Sequence, residues 1–152
     1  MNITTSRFGT IEFPEETVIK FPSGIIGFPH SHRYVILDHD REAPFKWLQS
    51  VDEPDLAFVI MDPTLFKADY HPHLDSADLT ELDHPAEADR ILFVFMTVPA
   101  GDPDRITANL RAPVVVNEPT RVARQVVLRD ELPTRYPLFP QPELQPQAEV
   151  AV

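Results

Sequence analysis

Hydrophobic positions recur along this chain in short runs, each cut off by proline, glycine or charged residues, at the spacing of strands rather than helices. The clearest run is Ile91-Leu92-Phe93-Val94-Phe95-Met96-Thr97-Val98, rich in β-branched and aromatic residues and closed by Pro99-Ala100-Gly101-Asp102-Pro103. It predicts a strand buried on both faces. Beyond it, Ile106, Ala108 and Leu110 alternate with Thr107, Asn109 and Arg111, so one face of that stretch is buried and the other polar. Pro113 has no N–H to give a ladder. The pairing is therefore predicted to break or bulge there, to resume at 114–117, and to turn through Glu118-Pro119-Thr120 into a strand over 121–128. Residues 91–128 thus predict a meander of at least three strands.

The same pattern predicts upstream strands over 3–6, 10–13, 17–21 and 34–37, and a hairpin of 45–51 with 56–61 turning through Asp52-Glu53-Pro54-Asp55. Between them, Phe21-Pro22-Ser23-Gly24-Ile25-Ile26-Gly27-Phe28-Pro29 holds two of the four glycines and predicts a tight, buried corner. It is no phosphate loop, because it lacks the lysine, the hydroxyl and a following helix. Residues 67–90 are the least strand-like. Within them 75–82 predicts one short helix, with Asp75 as N-cap and Leu79 and Leu82 packed on the barrel.

Composition narrows the fold class. Seventeen prolines in 152 residues argue against long helices, and 43% hydrophobic content supplies one core. The expectation is a predominantly all-β chain, a compact antiparallel β-barrel-like single domain over residues 1–139. From 140 to 152 a proline-rich tail is expected to be extended or disordered. The chain start lacks the apolar core of a signal peptide and no apolar run approaches about 18 residues, which predicts a soluble cytoplasmic protein.

Charge changes the picture more than composition does. The net charge is -11, and residues 38–104 hold sixteen acids against four bases. Residues 105–135 reverse this, with six arginines against three acids. The acidic middle disfavours direct nucleic-acid binding, which rests on cationic contacts, and would attract a basic partner.

Candidate chemistry is sparse. There is no cysteine, which excludes disulfides, thiolate ligands and a thiol nucleophile. His71-Pro72-His73 beside Asp69 and Asp75, with Asp38-His39-Asp40 as a second group, offers metal-ligand types. A small-ligand or metal-binding barrel using His71, His73 and Asp69 is therefore one alternative, and a direct nucleic-acid binder using the arginines of 105–135 is another. Ser23 lacks the setting of a nucleophile elbow. Neither an enzyme activity nor a cofactor is predicted.

The corner at 21–28, the segment 45–58 around Leu48-Gln49-Ser50, Asp69-Tyr70, and Asn109-Leu110-Arg111-Ala112-Pro113-Val114-Val115-Val116-Asn117 followed by Gln125-Val126-Val127-Leu128 resemble the flagellar assembly factor FliW family. The resemblance runs from about residue 3 to 138 and leaves out the tail. It implies a non-enzymatic cytoplasmic regulator that binds flagellin and also the RNA-binding translational repressor CsrA, with no membrane partner. Flagellin would occupy the regulator until it is exported, after which the regulator sequesters CsrA. Two routes to antagonism stay open, covering the RNA site as an acidic mimic or docking beside it, and the resemblance implies the second. The repressor-binding face is expected at Asp69 and Tyr70 with Phe45, as apolar anchors ringed by charge, and Asn109 and Arg111, on the polar face of their strand, would either serve one of the partners or hydrogen-bond a neighbouring loop.

Overall fold

The computed structural model describes residues 1–38, 44–99 and 102–139. Eleven strands are present among them: β1 Asn2–Thr5, β2 Gly9–Glu12, β3 Ile19–Lys20, β4 Arg33–Leu37, β5 Lys46–Ser50, β6 Ala57–Met61, β7 Arg90–Thr97, β8 Thr107–Ala108, β9 Val114–Asn117, β10 Val122–Gln125 and β11 Tyr136–Pro137. One short helix, α1, spans Ser76–Glu81. The expectations placed on His39, Asp40 and the tail from 140 lie outside the described residues.

Strands β3 to β7 pair in succession as antiparallel neighbours, and β7 continues to β9, β9 to β10, and β10 back to β3. Seven strands thereby close into a barrel, flanked by the β1–β2 hairpin and by β8 with β11. The closing pair, Val122 with Lys20, is parallel, so the barrel is mixed rather than purely antiparallel. Lys20 N–H donates to the Arg121 carbonyl at 2.8 Å beside it, and Arg121 takes a φ of 61° to make the turn out of β9.

Strand β7 is covered on both sides, as its composition predicts. Ile91, Phe93 and Phe95 point into the barrel with Tyr34, Leu48 and Val114, while Leu92, Val94 and Met96 face an outer cluster with Tyr70, Ala108 and Leu110. Only a strand with layers on both faces tolerates an unbroken apolar run. The region after it is not a simple meander. Thr97 and Met96 pair with β8, whereas Arg90 to Phe93 pair with β9 along the same edge of β7. Between them the ladder breaks at 109–113, where Pro113 stands.

Three predicted strands are shorter than the hydrophobic pattern implies, β10 among them, since it ends at Gln125 rather than Leu128. Residues 15–17 form a 3₁₀ turn after Pro14, leaving only Ile19–Lys20 as strand. Strand β8 ends at Ala108 because the Asn109 side-chain oxygen accepts from the Arg111 and Ala112 N–H groups, both at 3.1 Å, and bends the chain out of register. The helix agrees with its N-cap signal, Asp75 accepting from Asp78 N–H at 2.9 Å, and Leu82 just past it is fully buried with Val115, Val126 and Leu128.

The hairpin turn carries a testable charge effect. Asp52 accepts from the backbone N–H groups of His32 and Arg33 at 2.9 and 3.0 Å and pairs with the Arg33 guanidinium at 2.7 Å. Partial burial pushes its carboxyl up, but these donors outweigh it and hold it below the ordinary 3.8. A depressed carboxyl contributes stability that is full above the unfolded-state value and is lost as pH falls through the folded-state one. Melting temperature is thus expected to drop below about pH 4 more steeply for the native chain than for Asp52→Asn, and parallel acid limbs in the two would remove Asp52 from this role.

Candidate partner-binding surface

The sequence-predicted site residues converge on the outer cluster of β7, but not with the exposure expected of them. Tyr70 is 5% exposed, held by a turn in which its N–H donates to the Lys67 carbonyl at 2.9 Å. Its hydroxyl donates to the Leu110 carbonyl at 2.6 Å, and burial pushes the phenol pKa well up, so it stays a donor. The carbonyl it satisfies belongs to the break between Asn109 and Pro113, where β-ladder partners are missing. Tyr70 is therefore a strut joining the 62–70 loop to that bulge. Phe45 is half-buried against the same cluster. Asn109 spends its side chain on the turn described above, and Arg111 accepts from Leu128 N–H at 2.8 Å through its carbonyl.

Asp69 is the member of the set that reaches solvent, its side chain 83% exposed and 3.2 Å from the Lys67 ammonium. Lys67 lies 5.9 Å over the Tyr136 ring, which in turn stacks with Phe66. The histidines behave differently from the metal expectation. His71 faces Glu87 at 3.6 Å with both side chains exposed, His73 is exposed, Asp69 pairs with lysine, and Asp75 caps α1. Among the described residues no three His, Asp or Glu side chains gather to hold a metal ion.

Exposed apolar groups occur at Leu65 in the Asp69 loop and also at the glycine corner. Phe21, Gly24 and Ile25 are buried as predicted, but Ile26 is 61% and Phe28 38% exposed. Gly24 at φ +69° and Gly27 at φ +89° reverse the chain so sharply that Ile25 and Ile26 cannot share one side. Phe28 N–H donates to the Ile25 carbonyl at 2.7 Å, and the Gln125 side chain accepts from Ile26 N–H at 3.0 Å, fixing the tip against β10. A groove of about 700 Å³ runs between this tip, α1 and the end of β10, and Val127, 59% exposed, lies on its far wall.

The groove has a charged rim. Arg124 donates to Asp78 at 3.0 Å and to Glu81, while Ser23 donates to Glu81 at 2.7 Å, tying corner, helix and barrel together. Asp75, Asp78 and Glu81 outnumber Arg124 and Arg129, which lies 3.9 Å from Asp75, by one. The sequence pattern predicts the whole corner buried, and Ile26 departs from it. Its flanking glycines carried the signal, because an apolar residue at the apex of a two-glycine reversal points outward.

A family model described as FliW protein matches residues 2–138. The flagellar assembly factor FliW of Natranaerobius thermophilus is 40% identical over 140 residues, 91% of this chain and 93% of its own. That of Bdellovibrio bacteriovorus is 42% identical, over 91% of this chain and 79% of its own. A crystal structure of the flagellar assembly factor FliW superposes with a TM-score of 0.86 at 37% identity, covering 93% of this chain and 99% of that one. Closed barrel, glycine corner and interrupted β7 edge are thus the body over which the likeness extends, and the chain belongs to the FliW family of flagellar assembly factors, which are not enzymes.

Proposed function

We propose that this protein is a cytoplasmic, protein-binding regulator of flagellum assembly that binds and antagonises the RNA-binding repressor CsrA and also binds flagellin, so that flagellin translation follows export. Beyond family membership, the observation that carries this reading is the acidic field of residues 38–104, sixteen acids against four bases. A protein that binds RNA presents cationic surface, and such a field draws it in and orients it. In this reading Asp69 offers exposed charge, Tyr70 supports its loop from beneath, and Phe45, Asn109 and Arg111 complete the proposed partner-binding set.

A partner switch works by coupling: if flagellin lowers the affinity for CsrA, CsrA lowers that for flagellin by the same factor. Titration calorimetry of the purified chain with each partner is expected to show both complexes, and saturating flagellin to weaken CsrA binding at least tenfold. The CsrA affinity should also fall with salt, as association of opposite fields does. Absence of both complexes, or tight binding of free RNA at physiological salt, would overturn the reading.

A further inference from the structure

An interface needs exposed apolar anchors ringed by charge, yet Tyr70 is buried and Phe45 half-buried, which leaves the Asp69 loop one exposed aliphatic, Leu65, and no facing pair of anchors. The groove at the glycine corner has what that face lacks. Ile26 and Val127, 61% and 59% exposed, both line it. Continuity links the two, since the chain leaving Asp69 and Tyr70 runs directly into Asp75 and α1, which form the acidic wall.

We propose that this groove seats the aliphatic side chain of a basic segment of the repressor, extending the partner-binding site from Asp69 along α1 to the glycine corner. The inference rests on the reading of the partner as a cationic, RNA-binding protein. Charge complementarity selects the occupant. Three acids of α1 and its cap face two arginines, Arg124 committed to Asp78 and Glu81 and Arg129 3.9 Å from Asp75, so the rim left to a partner keeps a surplus of one negative charge. A volume of about 700 Å³ is room for several side chains, and the tip is braced by the Gln125 and Ser23 hydrogen bonds, so little ordering is required on binding. An acidic segment would meet like charge at this rim and is disfavoured.

Purified full-length protein titrated with CsrA tests this. Ile26→Lys and Val127→Lys, each removing an aliphatic contact and adding like charge, are expected to weaken binding at least tenfold with an unchanged melting temperature. Ile26→Leu should retain it. Val98→Lys, at an aliphatic residue 44% exposed outside both the groove and the Asp69 loop, should leave affinity within twofold. If the native chain binds CsrA and both lysine variants bind equally well, the groove assignment is wrong while the partner reading stands. Equal loss in Val98→Lys would also overturn it, as a general effect of added charge. If the native chain fails to bind CsrA, the partner reading falls and takes the groove with it.

Discussion

Tyr70→Ala is expected to cost the fold about 3 to 5 kcal/mol, the range for truncating a large buried aromatic, and to be read in a denaturant midpoint before any binding assay. The ring sits among Met61, Val94, Met96 and Leu110, and the hydroxyl is the partner of the Leu110 carbonyl. Removing both opens a cavity and leaves a buried acceptor unpaired. Tyr70→Phe separates the two effects: it keeps the packing, loses the 2.6 Å hydrogen bond, and should cost about 1 to 2 kcal/mol. An unaltered midpoint for Tyr70→Ala would show that the side chain is a surface anchor after all. The distinction matters for function, because the strut holds the bulge that carries Asn109 and Arg111. Loss of partner binding in a Tyr70 variant is therefore informative only at temperatures where that variant is folded.

The second large effect is expected at Gly24. A Cβ there would lie 2.8 Å from the Pro29 Cα and 2.9 Å from the Phe28 carbonyl oxygen, both backbone atoms that cannot swing aside, and φ is +69°. Gly24→Ala should cost about 2 to 5 kcal/mol, the sum of left-handed backbone strain and overpacking. Gly27 provides the internal comparison. Its φ of +89° is as demanding, but no atom lies within 4 Å of a Cβ built on it. Gly27→Ala should therefore cost only the backbone part, about 1 to 2 kcal/mol. Equal midpoints for the two variants would mean that the close approach to Pro29 does not constrain the corner. A strained Gly24 variant should also disturb Ile26, which the same turn presents to the groove.

Local chemistry made much of this molecule legible. Strand content, the two-faced burial of β7 and the β5–β6 hairpin all follow from apolar runs and their punctuation. The break at Pro113 and the Asp75 cap follow from single residues whose hydrogen-bonding capacity leaves little choice. Asp69 and Tyr70 show where this stops, since adjacent residues in one acidic loop end with opposite exposures. The pattern of that loop contained nothing to say that the phenol would find an unpaired carbonyl forty residues away.

The sequence by itself determined that this would be a proline-punctuated β body with an acidic middle, because secondary-structure period, turn chemistry and charge are properties of neighbours. Barrel closure through the Val122 and Lys20 pair, the sharing of one β7 edge by two strands, the burial of Tyr70 and the exposure of Ile26 were decided by the tertiary structure. A period of two says which side chains lie together on a face, but whether that face meets core or water depends on which distant strand arrives to cover it.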